Sequence, residues 1–329
     1  MSARMREPLR DAVAIGLYNH GVLLVACVVG VSTRSALAFG ILLALGFTVG
    51  TLTVLHDAGH RMFGRTELPN VLAVQLSTPA GLWVGHWTLK HRVHHKMSQV
   101  YPVDEATRSS SLVRLHPAAP HKPWQRWQHQ YAWFAYSLAW LGELRSQARY
   151  LRDGMIPGTT TPDGRARTRS FLLEKALNVA ILVPYAVGMG WWHLVVIVVV
   201  AETCTSLLAA IALTVGHINE GLEPTVDELG GSWTTHLVRT TAGFSPDSRL
   251  MRFLTGGLTL HLAHHLRPLA LRSELPELQR TVVAEVVEAS GLEQSVYPGL
   301  FRAVVGHWRR LRELGRPELV LPELVSARR

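Results

Sequence analysis

Histidine is concentrated in three short windows of this sequence. The windows are His56-Asp-Ala-Gly-His60, His91-Arg-Val-His94-His95 and His261-Leu-Ala-His264-His265, and they hold 8 of the 17 histidines of the 329-residue chain. Residues three or four positions apart share a face of a helix, so each window projects two or three imidazoles in one direction. Because neutral imidazole is a common ligand of transition metals, the spacing predicts a metal site.

The number of imidazoles predicts more than one metal ion. His217 is a further candidate, because it ends an apolar segment at the level where the first window begins. A zinc site closes with about four ligands, whereas two ions with four or five nitrogen ligands each would use the whole set. Imidazole suits iron, copper, nickel and zinc, so ligand type alone leaves the metal open. The nine predicted ligands are His56, His60, His91, His94, His95, His217, His261, His264 and His265.

Other polar side chains near the windows are candidates to orient these ligands. A metal-bound imidazole usually donates its second N–H to a carboxylate or a carbonyl. The acidic candidates are Asp57, Asp104, Glu105, Glu220 and Asp227, and His86 and His236 are assigned either this role or direct ligation. The remaining isolated histidines are expected at surface or capped positions, namely His20, His116, His121, His129, His193 and His307.

Four apolar stretches are long enough to carry these windows on membrane-spanning helices. Roughly 20 helical residues cross ~30 Å of hydrocarbon, and the expected spans are 12–31, 36–55, 176–192 and 194–216. The shorter run from Val71 to Val84 contains Pro79 and is interpreted as interfacial or re-entrant. With 17% charged residues, the composition also disfavours an ordinary soluble enzyme. We therefore predict an all-α membrane protein, a single domain over 1–329 with four transmembrane helices in two hairpins.

The distribution of basic residues predicts the orientation of this domain. When both hairpin turns lie on one side, Arg34 is the only one of the 33 lysines and arginines on that side. The positive-inside rule then places both termini and a helical cap, residues 57–173 and 219–329, in the cytoplasm of a multi-pass cell-membrane protein. All nine predicted ligands share that side. No nucleic-acid recognition motif accompanies the net charge of +9, and contact with anionic lipid explains it better.

Glu202 is an unusual residue of the fourth predicted span. It lies about 13 Å along the helix from the end that carries the ligands, by helical rise. An intramembrane carboxylate is a functional hypothesis by default, so Glu202 is a candidate to line a substrate tunnel. Structural pairing with a polar neighbour such as His20 is the alternative.

The order of the windows, HxxxH, HxxHH and HxxHH with four spans, resembles the membrane fatty acid desaturase family. Trp87 and Asp104 match the surroundings of that family's second box. The third window is similar to the third-box region of acyl-lipid and front-end desaturases, although Gly243 stands where an Asn is expected. The matching residues there are Thr240-Thr241-Ala242-Gly-Phe, then Phe253-Leu254-Thr255-Gly256-Gly257-Leu258, then the box itself and Pro268. The resemblance covers about residues 50–270.

This resemblance implies a function and its cofactors. It implies that the nine histidines hold two iron ions and that O2 is the co-substrate. The reaction removes two hydrogen atoms from an unactivated acyl C–C bond, which no side-chain acid or base can do. Half of the four electrons that reduce O2 to water come from the lipid or acyl substrate. The other half come from a separate donor, such as a ferredoxin with its reductase, which would dock on the basic face by charge complementarity.

Three other functions fit parts of the pattern. A hydroxylase or other oxygenase on the same di-iron core is the nearest, and the product mass separates it from a desaturase. A zinc-dependent membrane hydrolase needs fewer imidazoles together with a carboxylate base. A metal transporter would place its ligands near the bilayer midplane, whereas these windows flank the spans.

Overall fold

The computed structural model describes residues 5–107, 112–156, 159, 163–229 and 231–317, most of them helical. The first helices in chain order are α1 (Arg6–Val29), α2 (Thr33–Gly50), α3 (His56–Gly59), α4 (Glu67–Ser77), α5 (Val84–Lys96), α6 (Gln128–Ser137) and α7 (Ala139–Asp153). The next are α8 (Gly164–Met189), α9 (Trp191–Thr214), α10 (Trp233–Thr240) and α11 (Arg249–Leu254). The last are α12 (His261–Leu266), α13 (Leu275–Leu278), α14 (Ala284–Ser290) and α15 (Leu300–Leu314).

Irregular helical turns and short strands complete the described chain. Two π-helical turns occupy Thr51–Leu55 and Gln279–Val283, and 3₁₀ turns occupy Glu105–Thr107, Pro123–Trp127 and Leu258–Leu260. The strands are β1 (Val100–Tyr101), β2 (Thr225–Val226), β3 (Ala242–Phe244) and β4 (Ser295–Tyr297). β1 pairs with β2, and β3 with β4, both in parallel. The fold is therefore mostly helical, as expected for an all-α class, with four additional strands of two or three residues.

Four helices are long and apolar enough to cross a membrane: Arg6–Val29, Thr33–Gly59, Gly164–Met189 and Trp191–Thr214. The prediction of four spans is thereby confirmed, but their bounds differ. The third helix begins twelve residues before the predicted 176, because the Asp163 carboxylate accepts hydrogen bonds from the backbone N–H groups of Arg165 and Ala166. Its first turns are polar, so hydropathy did not mark them. α4 has 11 residues and ends at Ser77, too short to span.

The described chain divides into two compact units. The first contains the residues up to Arg92, Ser137–Ala209 and Leu254–Gly256, and the second contains Val93–Tyr136, Ala210–Phe253 and the residues from Gly257 onward. The four long helices lie in the first unit except for the last residues of α9.

Helix packing in the first unit is close. Leu23, Phe47 and Ile197 are fully buried between α1, α2 and α9. A Cβ on Gly40 of α2 would lie 2.6 Å from the Val200 Cβ of α9, so the glycine permits this contact. The outward faces remain apolar, with Leu17, Val28 and Val187 each at least 72% exposed. Such a surface suits lipid and not water.

The turns between the long helices are short. Ser32 caps α2 with a capping box, in which its hydroxyl accepts from the Ser35 backbone N–H and the Ser35 hydroxyl accepts from the Ser32 N–H. Gly190 alone separates α8 from α9 and has a φ of 86°, which favours glycine. His193 lies in the first turn of α9.

The second unit has its own core. Leu237 of α10, Leu262 of α12 and Leu275 of α13 are buried together. Val215, Phe244 of β3 and Ala303 of α15 form another buried cluster. These contacts fix the segments that carry the third histidine window and His217.

Candidate metal centre

The first histidine window continues the second long helix. α2 runs into the π-helical turn Thr51–Leu55, and α3 begins at His56. A π turn inserts an additional residue into a helix and changes the direction of the side chains that follow. His56 and His60 leave this turn with ring centroids 5.1 Å apart.

His91 joins these two rings within the first unit. Its Nε2 lies 2.9 Å from Nε2 of His60, and its centroid lies 4.8 Å from that of His56. Trp87, one turn earlier in α5, stacks on the His91 ring at 5.3 Å. A Cβ on Gly59 would lie 3.0 Å from His91 Cδ2, so the glycine leaves room for the ring. The ligand nitrogens of all three histidines are within 4.8 Å of one another.

A second group of histidines lies entirely within the second unit. The ligand nitrogens of His94, His217, His261 and His265 are within 4.8 Å of one another. His94 lies near the end of α5, His217 follows α9, and the other two come from α12. His217 contacts the other three, with ring centroids 4.4 to 4.9 Å away.

The hydrogen bonds of this group indicate how its nitrogens are protonated. His94 Nδ1 lies 3.0 Å from an oxygen of the Asp104 carboxylate, and His217 Nδ1 lies 3.0 Å from the Thr240 carbonyl oxygen. Both oxygens only accept, so both Nδ1 atoms carry a proton, and in the neutral form of each ring the lone pair is at Nε2. These two Nε2 atoms face each other at 3.0 Å.

Two lone pairs cannot hydrogen-bond to each other, but they can share a cation. His265 Nε2 also lies 3.2 Å from His217 Nε2. Burial lowers the pKa of His217 to about 3, and burial followed by His261 holds the pKa of His265 well below its usual value. Neutral imidazoles are the form that binds a metal. The residues of this group therefore fit a transition-metal ion.

Asp104 is fixed in position by the backbone. One carboxylate oxygen accepts from the Gln99 N–H and the other from the Ala106 N–H, both at 2.9 Å. Burial opposes its charge, but His94 and these N–H groups outweigh burial and lower the pKa of Asp104. The pairing of β1 with β2, through Val100 and Thr225, holds this turn. Asp104 thus holds the Nδ1 side of the His94 ring in place.

We expect Asp104→Asn to weaken metal binding about 10- to 100-fold, the usual cost of losing such a partner. The amide keeps the shape of the side chain but removes the charge that fixes the His94 tautomer. Competition with a chelator measures the affinity, and Asp153→Asn is the control because Asp153 is exposed and pairs with neighbouring Arg152. Wild-type affinity in Asp104→Asn would contradict the role.

His95 and His264 form a further pair in the second unit. Their Nε2 atoms lie 3.1 Å apart, and both rings are buried. His95 also stacks on His265, with centroids 4.4 Å apart. Two more of the predicted ligands are therefore adjacent to the group around His217.

The other predicted orienting residues have different positions. Asp57 Oδ1 is 3.9 Å from His56 Nδ1, beyond hydrogen-bond distance. His236 Nε2 bonds to the Ser98 carbonyl, and its own carbonyl accepts from the Thr240 hydroxyl, so it supports the residue that binds His217 Nδ1. Glu220 instead pairs with Arg309 at 3.1 Å.

His86 belongs to an ion-pair network that the sequence did not reveal. Its Nδ1 lies 2.9 Å from one carboxylate oxygen of Glu143 in α7, and Lys90 Nζ lies 2.8 Å from the other. Burial opposes the charge of Glu143, but Lys90 and His86 outweigh burial and hold its pKa well below the usual range. Glu143 thus fastens α5, the helix of the second window, to α7. No motif marks Glu143, because its partners lie more than 50 positions away.

Glu202 lies in α9 as expected, and one of its carboxylate oxygens is buried with no hydrogen-bond partner among the described residues. The expected alternative partner, His20, instead bonds to the Tyr185 hydroxyl and the Leu76 carbonyl. A tunnel role for Glu202 stays a prediction.

Four long apolar helices together with clustered imidazoles that fit a metal site are typical of a metal-dependent membrane enzyme. Comparison with known families defines the class. The family model described as fatty acid desaturase matches residues 33–298. The chain therefore belongs to the fatty acid desaturase family and is an oxidoreductase.

Curated relatives agree with this assignment. The chain is 26% identical over 287 residues to an sn-1 linoleoyl-lipid 6-desaturase of Arthrospira platensis, covering 83% of this chain and 76% of the relative. It is 24% identical to the enzyme of the same name from Synechocystis sp., covering 83% and 79% of the two chains. A probable Delta(5) fatty acid desaturase C of Dictyostelium discoideum is 25% identical, with 84% and 64% covered.

Proposed function

We propose that this protein is an O2-dependent di-iron desaturase that introduces a double bond into the acyl chain of a membrane lipid. The facing Nε2 lone pairs of His94 and His217 are the observation that carries the metal requirement. The acyl-lipid substrate is supported by the names of the curated relatives. Iron with O2 supplies the oxidising power to remove two hydrogen atoms from an unactivated C–C bond.

The nine predicted histidines are the proposed iron ligands. His94, His217, His261 and His265 would hold one ion, supported by their grouping within the second unit. The remaining proposed ligands are His56, His60 and His91 of the first unit and the His95–His264 pair of the second.

Residues around the ligands would orient them and exclude water. Asp104 and the Thr240 carbonyl fix the Nδ1 protons of His94 and His217, so that both Nε2 atoms stay available. Trp87 covers one face of His91. Two further histidines would position the ligands indirectly, by holding the backbone that carries them. They are His236, which acts through Thr240, and His86, which acts through Glu143.

We further propose that the spans form two hairpins and that the remaining segments form a cytoplasmic cap. The short turns at Ser32 and Gly190 support the hairpins. The position of Arg34 as the lone basic residue near those turns supports the orientation. Both chain termini are assigned to the cytoplasm on the same rule, although residues 1–4 and 318–329 lie outside the described residues.

Acyl profiling of an expressing host tests the function. We expect a new fatty acid that is two hydrogen atoms lighter than its precursor, and two irons per chain in purified protein. His264→Ala should abolish the product, whereas His193→Ala should keep it, since the His193 ring bonds to the Met189 carbonyl at the end of α8 and is not among the clustered histidines. One zinc per chain, or an unchanged profile with iron present, would contradict the proposal.

Hydroxylation of a lipid on the same iron core is the second candidate. The buried Glu202 carboxylate in α9 favours it, because a polar group at that depth suits a substrate with a polar substituent. A product heavier by one oxygen atom supports this candidate. If Glu202→Gln leaves activity on simple acyl chains unchanged, Glu202 gives no support to a polar substrate.

A further inference from the structure

A basic cavity opens on the second unit beside the C-terminal end of α15. Its volume is about 470 Å³. Arg312 and Arg316 contribute from the end of α15, and Arg126 and Trp127 from the turn before α6. His129 and Trp308 complete its aromatic lining.

The charge of the cavity favours an acidic partner. All three arginines are exposed, and no carboxylate is among the described residues that line it. The Arg126 guanidinium lies 5.5 Å from the Trp127 ring, and that of Arg312 lies 6.0 Å from the Trp308 ring. Trp127 is 51% exposed. Exposed tryptophan beside unpaired arginine is typical of the centre of a protein interface.

A buried hydrogen bond connects this cavity to a proposed iron ligand. Trp308 follows His307, which is fully buried in α15. His307 Nδ1 donates to the Ile218 carbonyl, so its Nε2 accepts from the Tyr136 hydroxyl at 3.0 Å. Burial lowers the pKa of His307 to about 4, so the ring is neutral near pH 7. Ile218 directly follows His217 in the chain. The route from Trp308 in the cavity wall to His217 therefore consists of covalent bonds and the single hydrogen bond between His307 and Ile218.

Other contacts fasten α15 to the same segment. The Asn219 side-chain amide donates to the Ala303 carbonyl at 3.0 Å, and the Tyr297 hydroxyl donates to the Asn219 Oδ1 at 2.9 Å. A Cβ on Gly306 would lie 2.2 Å from Asn219 Oδ1, so only glycine fits there. The segment after His217 and the helix with the cavity therefore hold a fixed geometry.

We propose that this cavity is the docking site of an acidic one-electron iron–sulfur protein, whose electrons reach the iron site along the His307–Ile218 hydrogen bond. This inference rests on the proposed function. Each turnover takes one acyl CH2–CH2 unit, O2, two protons and two electrons, and yields one CH=CH unit and two waters. Two reduced donor proteins, each oxidised by one electron, supply the two electrons. An anionic membrane surface would also attract the arginines, but it would gain nothing from the connection to His217.

Binding of a two-iron plant-type ferredoxin tests the docking site directly. The iron-loaded protein in nanodiscs of neutral phosphatidylcholine is titrated with labelled ferredoxin at low ionic strength. We expect Arg126→Glu with Arg312→Glu to raise the Kd about tenfold or more and to flatten its dependence on salt. Arg249→Glu with Arg280→Glu makes the same change in charge at exposed positions of the second unit and should leave the Kd close to wild type.

Two additional measurements separate the possible outcomes. An unchanged Kd in the Arg126/Arg312 variant, or no ferredoxin binding by wild type, overturns the docking site. The docking site is also overturned if the Arg126/Arg312 variant loses binding to phosphatidylglycerol vesicles but still binds ferredoxin, because the cavity is then a membrane contact. Product formation is assayed with ferredoxin in parallel. If wild type binds ferredoxin through these arginines but makes no unsaturated product, the desaturase function fails and the docking site stands.

Discussion

His217→Ala is expected to reduce product formation to background and to remove iron from the protein. The ring contacts His94, His261 and His265, and its Nε2 is within 3.2 Å of two other Nε2 atoms. Removing it leaves the lone pairs of His94 and His265 without the nitrogen they converge on. Iron content per chain and acyl profiling measure the effect.

The control for this prediction is His193→Ala, which removes a histidine from α9 without touching the group. Thermal stability in detergent is measured for both variants, so that a folding defect is recognised. A His217→Ala protein that folds, holds two irons and forms product would show that the group around His94 is not a metal site.

Gly216→Ala is expected to abolish activity although the substitution adds only one carbon atom. A Cβ at this position would lie 2.1 Å from His261 Nδ1 and 2.7 Å from its Cε1, so the ring must move. Overpacking of this kind costs about 1–3 kcal/mol, and the displaced imidazole leaves the group it shares with His217. We expect lower thermal stability and loss of iron together.

Gly142→Ala is the matched control. Gly142 lies inside α7, and a Cβ there would meet nothing within 4 Å. Alanine should stabilise that helix by about 0.5–1 kcal/mol and leave iron content and product unchanged. If Gly216→Ala keeps the iron content and product formation of Gly142→Ala, the close contact between Gly216 and His261 is not needed for function.

The sequence predicted the histidine groups because their spacing is local. HxxxH and HxxHH specify faces of a helix without knowledge of the rest of the chain, and Asp104 lies ten positions from the histidine it binds. The long apolar helices were recognised for the same reason. The ends of these helices were predicted less accurately, since the turns that follow the Asp163 cap are polar and a hydropathy pattern does not include them.

The features that the sequence did not predict depend on distant partners. β1 pairs with β2 across more than 120 positions and has only two residues, too few for an alternating pattern. Gly216 and Glu143 are defined by contacts with His261 and His86, each of which lies more than 40 positions away. His116 and His307 were expected at the surface or capped, yet both are buried, and only the fold reveals the bond from His307 to Ile218.

The π turn at Thr51–Leu55 gives the second long helix two independent faces. Each residue of an α-helix rotates the following side chains by about 100° about the helix axis. The one extra residue of the π turn therefore points His56 and His60 in a different direction from the residues with which α2 packs against its neighbours. Substitutions in α2 that adapt its length to a bilayer of different thickness therefore need not change the orientation of the two imidazoles. Deleting a single residue within the turn would couple the two faces again and rotate both rings away from His91.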